Sequence, residues 1–343
     1  MPSQTPANLS RIARHLGLSV TTVSRALKDG PEVHPETRAK VKAAATAMGY
    51  VPNLAGRALR TGRTGNLTAI LPLETQGSLS DLAKLPLIEG MTLAAQQAGY
   101  GLSISSTIPE EDPISGLMRV LNAGSTDGVI ITRMVSNDPR PALLRARGFP
   151  FVAFGRSDET ATHPYVDIEN EEIARDATAR LASAGCRRIA LHLLVLDDHV
   201  SKMRLQGHRR ALEEAGLPFA PELVGNSGYT IAATEAWVAD LLALPAPPDG
   251  LVCANELGLM GALAAVRRLG LTVGRDIRLV VRDSTGLSHH VPAEIGVHSV
   301  DLTLAGRLLV EALVAAVERP EKPPVTTLLG ARFDLAGIAD PSE

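Results

Sequence analysis

The chain has 343 residues, too many for one ordinary core and suited to two or three domains. Its 45% apolar and 21% charged content is a globular balance, and no apolar run reaches the about 18 residues of a membrane span. Cys186 and Cys253 stand far apart without partners at ligand spacing, which argues against a disulfide framework or a zinc site and fits a reducing, cytoplasmic location. The start of the chain, Met1 to Asn8, is polar and shows no apolar segment of a secretory signal.

The net charge of −3 conceals an asymmetry. Residues 1–63 carry ten Lys/Arg against three acids, a balance of +7, whereas the remainder carries 24 bases against 34 acids, a balance of −10. A basic head on an acidic body favours a polyanionic partner for the head. A solvated, charged helix face gives the same count, so charge alone leaves both readings open.

In chain order, Leu9, Ile12, Ala13 and Leu16 recur at helical spacing and Gly17 ends the run. Ser19 is a good N-cap for a second helix containing Val23, Ala26 and Leu27, which stops near Asp29-Gly30. His34-Pro35-Glu36 opens a third helix, with Val41, Ala44, Ala45 and Met48 as its apolar face. Pro52 breaks any continuation, and residues 61–65 read as a linker by composition. From residue 66 buried-looking strands alternate with amphipathic helices: strands at 67–73, 101–105, 128–132 and 151–154 with helices at 87–98, 114–123 and 140–147. A second series has strands at 188–194, 250–254 and 277–281 with helices at 171–184, 203–215, 231–244 and 257–269, then a long helix at 302–317 and a strand at 325–329. Alternation of this kind means βαβ units and parallel sheets with helices on both faces, here in two lobes.

Residues 9–27 fit a helix-turn-helix, with Ile12, Leu16 and Leu18 packing on Val23 and Leu27. The second helix then exposes Val20, Thr21, Thr22, Ser24 and Arg25. Short hydroxyl side chains let a helix lie close to the floor of the major groove, and arginine binds guanine through two parallel hydrogen bonds. Hairpins of this kind also occur in proteins that never meet DNA.

Three blocks at fixed spacing narrow the choice: Leu18-Ser19-Val20-Thr21-Thr22-Val23-Ser24-Arg25-Ala26-Leu27, Val33-His34-Pro35-Glu36-Thr37-Arg38 and Met48-Gly49-Tyr50-Val51-Pro52-Asn53. Together they resemble the head of the lactose/galactose repressor (LacI/GalR) family, and the resemblance extends more loosely along the chain. It implies an α-helical helix-turn-helix head at 1–52, a hinge helix and linker at 53–65, and an α/β core at 66–343 of two periplasmic-binding-protein-like lobes. Lobe 1 is expected at about 66–163 plus 292–325 and lobe 2 at about 164–291 plus 326–341. By position, Val20 and Thr21 would read bases, Arg25 would read guanine, and Ser19, Thr22 and Ser24 would anchor phosphates. The alternatives are a core position for Val20 and a surface ion pair for Arg25. The segment 53–60 looks like the family's hinge helix, in which Leu59 would wedge into the minor groove while Asn53, Arg57 and Arg60 touch DNA. Gly56, where many relatives carry alanine, implies a hinge that folds only on the operator. Packing on the core is the alternative for Leu59.

The same resemblance implies a small-molecule effector, a sugar or sugar derivative, held between the lobes. Ser201-Lys202-Met203-Arg204-Leu205-Gln206-Gly207 matches a family segment whose arginine binds effector, which marks Arg204. Phe154 occupies a further candidate position; Asn255 is read as either contacting ligand or stabilising its loop, and Asp283 as a ligand-binding aspartate with a capping or interlobe residue as the alternative. Gly155 replaces an aspartate common in relatives, leaving Arg156 as its substitute, and Ser78 and Asp81 are candidates from the loop after the first core strand. Asp167 is read as a hinge or cleft residue, and Phe154, Tyr165, Tyr229 and Trp237 are the available aromatic platforms, although Trp237, in a helical stretch with Val238 and Leu241, reads more readily as a buried residue. The piece Gly148–Arg156 with His163-Pro164-Tyr165 looks most like regulators of α-glucoside uptake operons. The implied partners are a palindromic operator and a second copy of the chain, with no cofactor, metal or membrane, and the implied place is the cytoplasm, on the nucleoid. The tail beyond 329 has no apolar heptads, so no tetramerising coiled coil is expected. No nucleophile elbow, phosphate-cradling loop or His-Glu-x-x-His argues for an enzyme, and His289-His290 reads as a surface pair. A nucleobase- or partner-protein-responsive regulator and, less readily, a solute-binding protein are the competing readings.

Overall fold

The computed structural model describes residues 8–27, 29–50, 62–73, 84–108, 111–157, 163–195, 198–226, 228 and 230–336. The chain divides into two compact units, Met1–Thr64 and Gly65–Glu343.

Among the described residues, the first unit contains three short helices, α1 (Leu9–Leu16), α2 (Val20–Ala26) and α3 (Pro35–Ala47). Asn8 caps α1 by accepting the Arg11 N–H at 2.9 Å, and Gly17 closes it in the left-handed region at φ 64°. Ile12, Ala13, Val23, Ala26, Val33, Val41 and Ala45 form the buried centre, with Leu16, Leu18, Leu27 and Met48 packed around it. Apart from Leu18 and Val33, which lie between helices, these are the positions that helical periodicity marks, so most of the head's core follows from its apolar pattern.

The second unit is built on two six-stranded sheets. The first has the order β11-β5-β4-β3-β1-β2, from β1 (Asn66–Pro72), β2 (Gly101–Thr107), β3 (Gly128–Ile131), β4 (Phe151–Phe154), β5 (Tyr165–Ile168) and β11 (Thr326–Leu329), and all its pairings are parallel. The second has the order β12-β10-β9-β8-β6-β7, from β6 (Ile189–Leu193), β7 (Val224–Asn226), β8 (Gly250–Cys253), β9 (Arg278–Asp283), β10 (Ile295–Ser299) and β12 (Arg332–Ala336). Its edge strand β12 runs antiparallel to β10 and the other pairs are parallel.

The helices are α4 (Lys84–Gln97), α5 (Pro113–Asn122), α6 (Pro139–Ala146), α7 (Asn170–Ser183), α8 (His199–Glu214), α9 (Ile231–Leu242), α10 (Glu256–Arg268) and α11 (Leu302–Glu318). Each sheet carries a buried apolar cluster on both faces, as a parallel sheet requires. Strands such as Gly128–Ile131 and Gly250–Cys253 are buried at every position, which is why they read as unbroken apolar runs.

The chain passes between the sheets three times: after Ile168, after Ser299 and between Leu329 and Arg332. These points correct the expected lobe boundaries near 164, 291 and 326. β5 and β10 are the last strands of their sheets before a crossing, yet Asp167 and His298 interrupt their apolar runs and hide them. β11 belongs to the first sheet, paired in parallel with β5, so residues 326–329 fall in lobe 1. Residues 53–61 of the expected hinge lie outside the described residues.

Candidate DNA-reading helix and ligand cleft

In the head, Ser19, Val20, Thr21 and Arg25 are exposed, and Thr22 and Ser24 are half-buried. Val20 is 44% exposed, which excludes the core reading for it. The Ser19 hydroxyl accepts the Thr22 N–H at 3.0 Å and lies 2.8 Å from the Thr22 hydroxyl, so in the free head both hydroxyls complete the helix cap. The Arg25 Nε lies 3.3 Å from a Glu32 carboxylate oxygen, the surface pair considered as its alternative. Such an exposed pair is weak. Asn53, Arg57, Leu59 and Arg60 lie outside the described residues. Replacing Ser19 with alanine should lower the stability of α2 by about 1 kcal/mol. Amide exchange of Val20–Ala26 in the intact protein would read this as faster opening, and unchanged exchange would count against the cap.

In the second unit, the C-terminal ends of both sheets face a cleft of ≈ 210 Å³. Leu71, Thr132, Phe154 and Ile168 stand at strand ends of the first sheet, and Leu194 and Arg282 at those of the second. Crevices at strand C-termini are where open α/β sheets bind ligands. The walls are apolar at Leu87, Met134, Val200 and Leu302, and the polar groups include Lys84, Arg133, Asp167, Asn170, Asp198, Ser201 and Arg204. The Lys84 ammonium donates to the Pro72 carbonyl, tying α4 to the end of β1.

Arg204 and Phe154 line the cleft, as the sequence led us to expect. Arg204 is 9% exposed and its Nε donates to the Asn170 Oδ1 at 3.1 Å. The close approach of α7 and α8 sets this pairing: a Cβ on Gly207 would meet the Glu171 carbonyl at 2.0 Å, so only glycine fits. The N-terminus of α8 is fixed by Asp198, which accepts the Ser201 N–H at 2.6 Å.

Three other candidates do not line the cleft, and Asn255 and Asp283 take the loop and capping roles considered as their alternatives. Asn255 does not line the cleft; it caps α10 by accepting the Gly258 N–H at 3.0 Å. Asp283 is 1% exposed and turned into its own loop, where its carboxylate accepts the N–H groups of Thr285 at 2.7 Å, Gly286 at 3.0 Å and Ser288 at 2.8 Å. Burial pushes its carboxyl up, but its hydrogen bond with Glu256 and those loop donors hold it below the usual carboxylate range. Arg156 also stays behind the wall, with its Nε 2.7 Å from the Asp167 Oδ2. It therefore orients the cleft carboxylate instead of replacing the one missing at Gly155. Gly155 lines the cleft at φ +98°, a conformation an aspartate would adopt only under strain. Ser78, Asp81 and Tyr229 lie outside the described residues. Trp237 packs on the lobe 2 core, and Tyr165 is half-buried away from the cleft.

Sequence reading missed Asn170, Asp198 and Arg282, single polar residues at strand or helix ends with no spacing to flag them, and quoted Ser201 only as part of the Arg204 segment. Beneath the cleft, His192 is fully buried, and burial with the nearby Arg204 charge pushes its imidazole down to about 3. A neutral ring suits its contact with the Ala254 N–H, which reaches Nδ1 at 3.4 Å. Across the rim, Val135 and Asp198 form an antiparallel bridge and the Lys202 ammonium donates to the Ser136 hydroxyl at 2.6 Å. The loop bearing Val135 and Ser136 is pinned by the buried Arg140–Asp138 pair, whose arginine also donates to the Thr132 and Arg133 carbonyls at 3.0 and 2.9 Å.

Comparison with known proteins agrees with both units. Residues 8–53 match the model of the bacterial regulatory proteins of the lacI family, and residues 178–334 match a periplasmic binding protein-like domain. The chain is 36% identical over 281 residues to the HTH-type transcriptional regulator AglR of Rhizobium meliloti (strain 1021), covering 81% of this chain and 78% of that protein. Among solved structures, a transcriptional regulator CelR–cellobiose complex superposes with a TM-score of 0.72 at 28% identity, over 96% of this chain and 98% of that one. The Lac repressor dimer bound to operator and the anti-inducer ONPF shares the fold, with a TM-score of 0.84 at 22% identity over 98% and 100% of the two chains. From its capped reading helix to its two-sheet core, this chain belongs to the lacI family of bacterial regulatory proteins and is a DNA-binding transcriptional regulator.

Proposed function

We propose that the protein acts as a homodimeric repressor of a carbohydrate uptake or catabolism operon, working on the nucleoid in the cytoplasm, and that a sugar in the cleft sets its operator affinity. The observation that carries this reading is one cleft, formed by strand ends of both sheets and floored by Arg204, on the same chain as an exposed reading helix. The relatives named AglR and CelR, the latter with cellobiose in its complex, support a glycoside as the ligand class. In this reading Val20, Thr21 and Arg25 face base edges, with Ser19, Thr22 and Ser24 toward phosphates, and Arg204 and Phe154 touch the ligand. Ligand moves the equilibrium only by preferring one arrangement of the lobes, and loss of the rim contacts Val135–Asp198 and Lys202–Ser136 is the change available to it. Operator footprinting with and without α- and β-glucosides tests the whole reading; protection that no ligand changes would remove the effector from it.

A single reading helix covers half of a palindrome, so the function needs two chains. Lobe 1 offers an apolar face for the second: Leu85 and Leu93 on α4 are 65% and 49% exposed, and Ile104 and Ile108 at the β2 edge are 43% and 57% exposed. Changing Leu85 and Leu93 together to glutamate should shift sedimentation from dimer to monomer and weaken operator binding by at least about tenfold, since dimer assembly then draws on the binding energy. A double variant that still sediments as a dimer would place the interface elsewhere.

A further inference from the structure

Arg282, the next-to-last residue of β9, and His298, the next-to-last residue of β10, are partners in the parallel ladder between these strands. Neighbours in register point to the same face of a sheet, so the two side chains lie side by side. Both line a cavity of ≈ 20 Å³ that shares Asn170, Arg204 and Arg282 with the cleft. His298 is 3% exposed, and its Nδ1 has no hydrogen-bond partner among the described residues. Arg282 is half-buried as a residue, but its Nε is buried and likewise has no partner there.

The two atoms are chemically complementary. The His298 Nε2 lies 2.7 Å from the Asp176 carboxylate, which only accepts, so that nitrogen carries the ring proton. Burial pushes the imidazole below its usual range; Asp176 and Asp334 pull it up, and Arg180 adds to the lowering. A neutral ring protonated at Nε2 leaves Nδ1 as an acceptor that needs a donor. The Arg282 Nε–H is a donor that needs an acceptor. Buried polar atoms are costly to leave unpaired, and one water accepts from the first side chain while donating to the second. The cavity exceeds the about 10–15 Å³ that a water requires and is too small for a sugar.

We propose that one bound water in this cavity joins the Arg282 Nε to the His298 Nδ1, and that His298 is through it a positioning residue for the Arg282 guanidinium at the cleft wall. The contacts then run from the cleft through the water and the imidazole to Asp176 on α7. His298 stands one residue before Ser299, where the chain makes its second crossing, so the cleft wall is tied to that crossing. The water site rests on the two atoms alone; that the guanidinium meets a sugar rests on the function proposed above.

High-resolution crystal structures of the full-length protein without sugar test the site in the parent, His298→Phe and His298→Asn. Phenylalanine keeps a ring and removes both nitrogens, whereas the asparagine amide keeps an acceptor close to the place of Nδ1. The parent should show a water about 2.7–3.2 Å from both atoms and a single Arg282 rotamer. His298→Phe should lose the water and spread the guanidinium over more than one rotamer, and His298→Asn should restore both. Should His298→Phe fail to fold, Arg282→Lys serves in its place: it keeps the charge, removes the Nε–H and should lose the water. Calorimetric titration with maltose and cellobiose should show affinity about two- to tenfold weaker in His298→Phe and regained in His298→Asn. A direct Arg282–His298 hydrogen bond in the parent, or no water density between them, overturns the site. An Arg282 equally ordered in all three proteins, or equal sugar affinity in all three, overturns the positioning role. If neither sugar binds the parent, the carbohydrate reading falls, while the density and the Arg282 rotamers still decide this proposal.

Discussion

Replacing Arg25 with alanine should reduce the preference for operator over scrambled duplex by about 1–3 kcal/mol per half-site, roughly 5- to 150-fold, and should do so in both halves of a palindrome. The side chain is 58% exposed on the reading helix and its partner Glu32 is 47% exposed, so breaking the pair changes little in the folded head. The loss therefore reports on DNA. Titration of operator and scrambled duplex at one moderate salt concentration separates two roles. A base reader loses affinity for operator and leaves the scrambled duplex nearly untouched. A phosphate contact weakens both equally and lowers the salt slope by about one. Equal weakening on the two duplexes would remove Arg25 from the base-reading set and leave Val20 and Thr21 to carry specificity.

That contrast reflects what a sequence can and cannot carry. The head was legible almost residue by residue, because helical spacing, Ser19 as a cap and Gly17 as a stop are local signals, and each appears where expected. The parallel strands buried on both faces were equally plain. Missed strands share a physical cause. Tyr165–Ile168 and Ile295–Ser299 each place a polar side chain, Asp167 or His298, inside the run, and these groups are satisfied only by tertiary partners: Arg156 at 2.7 Å for the first, Asp176 at 2.7 Å for the second. Arg332–Ala336 is an edge strand with exposed positions, and Val224–Asn226 has three residues, too few for a pattern. The cleft divides in the same way. Arg204 sits in a segment with its own motif, whereas Asn255 and Asp283 occupy familiar positions but face their own loops. Position along a strand end says which crevice a residue is near; only the hydrogen bonds say which way it points.

Replacing Arg204 with methionine should cost the sugar about 1.5–3 kcal/mol of binding, roughly 10- to 150-fold, the range for hydrogen bonds to a charged group. Methionine keeps most of the volume, and the neighbouring apolar wall accepts it, so the lobe should still fold. A second consequence concerns coupling. Asn170 Nδ2 donates to the Ile168 carbonyl at 3.1 Å while its Oδ1 accepts from Arg204, so the arginine proposed to meet ligand is tied to the first crossing between the lobes. Allosteric response is a difference in affinity between two arrangements, and a ligand that binds both equally shifts nothing. The ratio of operator affinities with and without sugar should therefore collapse toward one in Arg204→Met even when sugar is raised to saturation. Asn170→Ala provides the contrast: it keeps the guanidinium but cuts its link to the crossing, so sugar affinity should fall less than the operator response does. Fluorescence anisotropy of labelled operator, at sugar concentrations set by each variant's own affinity, measures both quantities. A full operator response in Arg204→Met at saturating sugar would mean that coupling runs through the rim contacts at Val135 and Ser136 and not through the floor of the cleft.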